Sequence, residues 1–165
     1  MATKKGIVIT IIILVAITAA SSVMWILPQN RGMTFVVSNY GNEIESVKER
    51  HLAIMTSVDS DLTDLLNNTI TPNDFIARAQ ISSSQITSLI TEVIESNPPP
   101  EWKESYLNYD EALKKYNDYL TETIALANKI KDNASHSDLS DEMSKIDSLR
   151  NDTNSFIVKS NETSP

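Results

Sequence analysis

Cysteine is absent from this chain of 165 residues. Its absence excludes disulfide bonds, zinc fingers, iron–sulfur clusters, c-type haem attachment and thiol catalysis. It also excludes a lipid anchor on an N-terminal cysteine. An exported domain with this sequence must therefore be held together by packing alone.

Glycine and histidine are scarce, with three glycines, at positions 6, 32 and 41, and two histidines. Phosphate-binding loops and dinucleotide fingerprints need several glycines within a few residues, so neither can form here. No nucleophile elbow is present, and neither histidine has a glutamate three residues before it, which excludes the di-iron bundle motif. We therefore predict that the chain is not an enzyme and binds no cofactor and no metal.

Acidic residues are absent before Glu43, and this region contains an uncharged apolar run of 22 residues, Gly6 to Leu27. As a helix rising about 1.5 Å per residue, the run would extend about 33 Å, enough for a bilayer core of about 30 Å. It predicts a single transmembrane helix at 6–27 that also anchors the protein in membrane lipid.

Lysines at the start of the chain set the predicted orientation. Lys4 and Lys5 precede the span, and lysines beside a first span stay in the cytoplasm. Residues 1–5 are thus expected inside the cell, 28–34 form a juxtamembrane link, and the remainder lies outside the cell membrane. The alternative is a cleaved signal peptide, with Thr18-Ala19-Ala20 as the peptidase site. Ala16 and Ala20 have the small-residue spacing that lets two spans pair, so a homodimer is also open.

The part of the chain after the span is strongly acidic. It holds 12 basic and 22 acidic residues, a net charge of −10. Such a surface repels the phosphates of nucleic acid, so we predict no nucleic-acid binding.

Four apolar stripes with steps of three and four follow the span, and each predicts an amphipathic helix. We expect helix A at about 35–67, helix B from Thr71 to Asn97, helix C from about Trp102 to Ile130, and helix D from about Leu139. Thr71 followed by Pro72 predicts a sharp helix start, residues 132–138 a polar turn, and 161–165 a disordered tail.

Short turns between these helices favour antiparallel neighbours. The fold class is therefore all-α, with one N-terminal transmembrane helix followed by an up-down-up-down four-helix bundle at 35–160. The spacing near 3.5 residues is similar to that of a coiled coil. Serines 82–84 allow a local irregularity in helix B.

Candidate contact residues come from the aromatic stripe of helix C. Such a stripe is usually core, but Trp102 and Tyr106 are also candidates for contact with a ligand or a partner. Tyr119 lies off the stripe, so we expect it to reach a surface. His51 and Met55 share an apolar face, where a partly buried, hydrogen-bonded histidine is favoured over a haem ligand.

Four N-x-S/T sequons lie on the predicted outer side. In a host that glycosylates exported proteins, such asparagines can carry glycans. The candidate glycosylation sites are Asn67, Asn133, Asn151 and Asn161.

With a signal-anchor, no cysteine, high acidity and sequons in an Ile- and Ser-rich helical domain, the chain resembles small single-span membrane proteins of archaea. Its layout also resembles extracytoplasmic sensor bundles of chemoreceptor type, without their second span and signalling region, so sensing is expected to need a partner. We expect a non-catalytic accessory or stabilising subunit of a larger membrane protein complex. The alternative is an extracytoplasmic ligand-binding or sensor module working with a partner, with its pocket between helices B and C.

Overall fold

Four α-helices make up the part of the chain that the structure, a computed structural model, describes: residues 39–165. This confirms the all-α class and the four-helix bundle for these residues, and none of the four helices is long and apolar enough to cross a membrane. The predicted segments 1–5, 6–27 and 28–34 lie outside the described residues. The helices are α1 (Tyr40–Leu66), α2 (Pro72–Glu95), α3 (Pro100–Lys131) and α4 (His136–Glu162).

Helix starts follow the capping chemistry of the sequence. The Thr71 hydroxyl accepts a hydrogen bond from the Asp74 backbone N–H at 3.2 Å, and Pro72 occupies the first turn. This is the predicted start of α2. At the start of α1, the Asn39 side chain accepts from the Asn42 N–H at 3.1 Å. Both caps satisfy backbone donors that have no partner within the helix.

The start of α4 differs from the prediction. Residues 132–138 were expected to form a turn, but the helix begins at His136 because the Ser135 hydroxyl accepts from the Asp138 N–H at 3.2 Å. The Asp138 carboxylate also stabilises the positive end of the helix dipole. His136, within the segment predicted as a turn, is exposed and lies in the first turn of α4.

The C-terminal end of the chain forms contacts with α3. α4 continues to Glu162, beyond the expected boundary at 160. The Ser164 hydroxyl lies 3.0 Å from that of Ser105 on α3 and donates to the Ser160 carbonyl at 2.9 Å. Ser164 thus contacts both α3 and α4, and the disorder expected for 161–165 stays a prediction.

The serine-rich middle of α2 is continuous helix, so the possible irregularity does not occur. The Ser84 hydroxyl donates to the Gln80 carbonyl at 3.0 Å, and Thr87 donates to the Ser83 carbonyl at 2.9 Å. These side chains bond within their own helix, one turn back, and leave the backbone ladder intact.

Cross-helix contacts show the antiparallel order. Moving forward along α1 from Lys48 to Asp59, the partner on α4 moves backward from Asn161 to Arg150. α1 and α2 are related in the same way, as are α3 and α4. Three turns reverse the chain, and each contains an asparagine with φ of 55–58°, a conformation that asparagine tolerates better than most residues. These are Asn68, Asn97 and Asn133.

Candidate functional site

The aromatic stripe of α3 lies in the core of the bundle. The rings of Tyr116 and Tyr119 stack with centroids 5.1 Å apart, and the ring of His51 from α1 meets Tyr116 edge-on at 4.9 Å. Tyr106 and Tyr109 are also buried. The stripe thus fills the space between α1 and α3.

Tyr119 is fully buried at 0 % exposure, which contradicts the expectation that it reaches a surface. Its hydroxyl donates to the Asp59 carboxylate at 3.1 Å and accepts from the Arg150 guanidinium at 2.9 Å. Burial raises the pKa of Tyr119 to about 12, although the bond from Arg150 acts in the opposite direction. The spacing rule placed Tyr119 off the stripe because that rule considers only one neighbouring helix, whereas Tyr119 faces both α1 and α4. Its predicted contact with a partner would require the Asp59–Arg150 bridge to open.

Trp102 and Tyr106, the other two candidate contact residues, lie near the start of α3. Trp102 is half-buried and packs over Gly41 of α1, where an added Cβ would come within 3.1 Å of the indole ring. The Tyr106 hydroxyl donates to the Tyr40 carbonyl at 2.9 Å and lies 3.1 Å from the Glu43 carboxylate. Both residues therefore fix the start of α1 against α3.

His51 is fully buried, and only one of its two ring nitrogens has a hydrogen-bond partner among the described residues. Its Nδ1 lies 3.0 Å from the Tyr109 hydroxyl, while its Nε2 has no hydrogen-bond partner among residues 39–165. Burial lowers the pKa of His51 to about 4, so the ring is neutral near pH 7. Met55 is half-buried and borders the same groove between α1 and α4. The prediction of a partly buried, satisfied histidine underestimated both its burial and its unmet hydrogen bonding.

The groove between α1 and α4 has a volume of about 340 Å³, with His51, Tyr109 and Ile157 among its lining residues. The Cα atoms of α1 and α4 stay more than 8 Å apart throughout the described helices. We call the contact between two neighbouring helices a seam. Across the α1–α4 seam, Lys48 donates a hydrogen bond to the Asn161 side chain at 2.7 Å. The two helices are thus connected by long side chains rather than by close backbone packing.

A second pocket, of about 250 Å³, lies between the end of α2 and the start of α3. Val93 and Ile94 line it from α2, and Tyr106, Leu107 and Asp110 line it from α3, together with Lys103, Asn97 and Pro98. This is the location where the sequence predicted a ligand pocket. Tyr106 is the predicted aromatic residue that lines it, while Lys103 and Asp110 were not singled out from the sequence.

Two acidic residues of α1 form ion pairs with different helices. Asp59 pairs with Arg150 on α4, and Asp61 pairs with Arg78 on α2. Among the described residues, no three His, Asp or Glu side chains come together as a metal site would require. Asp59 and Asp61 therefore take part in two different helix–helix contacts.

Glu142 is the most buried carboxylate of the described residues and lies between α3 and α4. Lys129 pairs with one of its oxygens, and Lys145 approaches the other at 3.6 Å. The neighbouring Glu122 and the ammonium group of Lys129 lower the pKa of Glu142, and the pKa of Glu122 is raised in turn. The pair of lysines compensates a charge that burial would otherwise disfavour.

All four sequon asparagines are exposed. Asn67 and Asn133 lie in the two turns at one end of the antiparallel bundle, and Asn151 lies within α4. Asn161, in the last turn of α4, already accepts a hydrogen bond from Lys48. Glycosylation at these positions stays a prediction.

For residues 39–165, fold and site together define an all-α, antiparallel four-helix bundle with an aromatic core and one loosely closed seam. Comparison of the chain with models of protein families, with curated proteins and with solved structures finds no match. Any function assigned to the chain therefore depends on the chemistry of its own residues.

Proposed function

We propose that the chain is a non-catalytic, membrane-anchored helical protein that acts as an accessory or stabilising subunit of a larger membrane complex. The uncharged run Gly6 to Leu27 supports the anchor, and Lys4 and Lys5 support a cytoplasmic N-terminus. In this proposal the helical bundle lies outside the cell.

The observation that carries the proposal is the apolar surface of a bundle whose sequence is otherwise acidic. Large aliphatic side chains stand exposed on every one of the four described helices. Single exposed leucines are common, but Ile94 and Leu107 border the same pocket and form a joint apolar surface. Such surfaces suit contact with another protein. The exposed aliphatic residues are Leu52, Leu66, Ile81, Ile94, Leu107 and Val158.

Polar contacts between the helices of the bundle support the same proposal. His51 binds Tyr109, and Asp59 and Arg150 bind Tyr119, so each contact joins two or three helices. These contacts specify which helices pack together, a role that accounts for them without chemistry on a substrate.

Native gel electrophoresis of the full chain, extracted from its own membranes in mild detergent and followed by mass spectrometry, tests the proposal. We expect migration in a large assembly with a fixed set of partners. A chain in which 6–27 is replaced by an unrelated apolar segment of equal length tests the span alone. Loss of the partners in that chain would assign the contact to the span, and their retention would assign it to the bundle. Migration of the native chain as a monomer with no partner would refute the proposal.

A second candidate function is an extracytoplasmic ligand-binding or sensor module that works with a partner. The pocket between α2 and α3 favours it, because the pocket combines apolar walls with a few polar groups. This candidate predicts that the chain binds a small molecule whether or not it migrates in an assembly.

A further inference from the structure

The pocket between α2 and α3 has one predominantly apolar wall. Val93 and Ile94 form part of it from α2, and Leu107 forms part from α3. Ile94 and Leu107 are 62 % and 56 % exposed, so the pocket is accessible from solvent. Its volume of about 250 Å³ is below the usual range for drug-sized ligands and suits a smaller molecule with an apolar body.

Asp110 lines the pocket and carries an unmet acceptor. One carboxylate oxygen of Asp110 binds the Lys114 ammonium group at 2.7 Å. The other oxygen, Oδ1, is buried and has no hydrogen-bond partner among the described residues. A buried carboxylate oxygen without a donor is unfavourable, so a ligand that brings a donor to it gains binding free energy.

Lys103 gives the same pocket a cation. It precedes Asp110 by seven residues, which places both on one face of α3. Lys103 is exposed and forms no salt bridge with any residue of 39–165. The pocket thus presents an acceptor and a cation on either side of Tyr106 and Leu107.

We propose that this pocket binds a small zwitterion with an apolar body: an ammonium group donates to Asp110, a carboxylate pairs with Lys103, and the apolar part lies against Ile94 and Leu107. A free aliphatic amino acid has this chemistry. The inference rests on the ligand-binding candidate above, whose ligand class it names.

Isothermal titration calorimetry of the full chain in mild detergent tests the proposal with three probes of similar shape. L-leucine carries both charges, 3-methylbutylamine carries only the ammonium group, and 4-methylpentanoate carries only the carboxylate. We expect leucine to bind at least about tenfold more tightly than either single-charge probe, because each charge-assisted contact contributes about that factor.

Two variants test which residues bind the charges. Lys103→Gln should weaken leucine about tenfold and leave 3-methylbutylamine unchanged, and Asp110→Asn should weaken leucine and the amine but not the carboxylate. The matched controls on the same helix are Lys131→Gln and Asp118→Asn, whose side chains are exposed and do not line the pocket. Because Lys103 is exposed, its variant is expected to fold even if that of Asp110 does not, and circular dichroism checks both.

Each outcome distinguishes the inference from the function on which it rests. Equal binding of leucine and one single-charge probe would overturn the zwitterion while keeping a ligand pocket. Absence of binding by all three probes would overturn the inference, and the native-gel experiment would still test the subunit role separately. Binding that Lys131→Gln weakens as much as Lys103→Gln would also overturn it, because the effect would then reflect general charge.

Discussion

α4 meets its two neighbouring helices in opposite ways. Against α3 the backbones are close enough for the Ser105 hydroxyl to donate to the Ser160 carbonyl at 2.9 Å. Against α1 the Cα atoms stay more than 8 Å apart, and Lys48 and Arg150 extend across the gap. Serines thus lie where α4 comes close to α3, and long lysine and arginine side chains span the wider gap to α1.

The two seams also differ in how they treat buried polar groups. In the α3–α4 seam, Ser105 and Ser160 satisfy each other, and Lys129 pairs with the buried Glu142. Beside the α1–α4 groove, His51 keeps one ring nitrogen without a partner in the part of the chain that the structure describes. Each seam thus leaves one buried polar atom without a hydrogen-bond partner among residues 39–165, but Glu142 Oε1 in the close seam has the Lys145 ammonium group 3.6 Å away.

Acid should weaken the open seam most. The pKa of His51 is about 4 in the folded protein and about 6.5 when exposed, so below pH 6.5 the unfolded chain takes up a proton that the folded chain does not. Stability contributed by the neutral ring is complete above pH 6.5 and is lost as the pH falls to 4. A tenfold difference in proton affinity is worth about 1.4 kcal/mol, so the full loss is about 3 kcal/mol. Urea unfolding of the full chain in detergent, followed by circular dichroism from pH 7 to 4, measures it.

The control for this prediction is His51→Gln, which cannot take up the proton. The pKa of Glu122 is raised, so this carboxylate also takes up a proton as the pH falls, and the variant is expected to show a shallower decline, not a flat line. If the native chain and His51→Gln lost stability in parallel between pH 6.5 and 4, the buried histidine would not be the cause.

The close seam should reject a large side chain that the open seam accepts. Ser160→Leu is expected to destabilise the fold by about 2 kcal/mol, because the leucine overpacks the α3–α4 contact and removes the hydroxyl bond to Ser105. Asn154→Leu, also on α4 but exposed at the rim of the α1–α4 groove, should change stability by less than about 0.5 kcal/mol. Urea unfolding of both variants checks the contrast, and equal losses would mean that the two seams are equally close.

Periodicity and capping predicted most of the described fold because both are local. Thr71 and Pro72 specify the start of α2, and the spacing from Ile44 to Leu65 specifies the buried face of α1. The start of α4 could also have been read from Ser135 and Asp138, which have the spacing of an N-cap and its acidic partner.

The candidate site could not be predicted to the same extent because it depends on which helices meet. Tyr119 lies off the stripe of a helix with one neighbour, but α1 and α4 together cover it. Lys103 and Asp110 are ordinary solvent-side residues in the sequence until α2 places Ile94 beside them. One local signal was usable: their separation of seven residues puts them on one face of α3.

Two tyrosines beside His51 allow a satisfied and an unsatisfied buried hydroxyl group to be compared. Tyr109→Phe removes the partner of His51 Nδ1 and should cost about 1–2 kcal/mol, because both ring nitrogens are then unmet. Tyr116→Phe removes a buried hydroxyl that has no partner in the described part of the chain, so it should be neutral or slightly stabilising. Urea unfolding at pH 7 distinguishes them. A cost for Tyr116→Phe as large as that for Tyr109→Phe would indicate that an ordered water binds the Tyr116 hydroxyl.

The smallest expected effect belongs to the bridge between Asp59 and Arg150. The two side chains are 48 % and 40 % exposed, and exposed ion pairs typically contribute less than about 1 kcal/mol. Arg150→Gln should therefore cost about 0.5 kcal/mol in low salt, since Asp59 still accepts from the Tyr119 hydroxyl. The cost should shrink in about 1 M salt, where charges are screened beyond about 3 Å.

Arg78→Gln, which breaks a similar pair between α1 and α2, is the matched control. A loss above about 2 kcal/mol for Arg150→Gln alone would mean that this bridge holds the α1–α4 seam closed, and that the groove beside His51 opens without it.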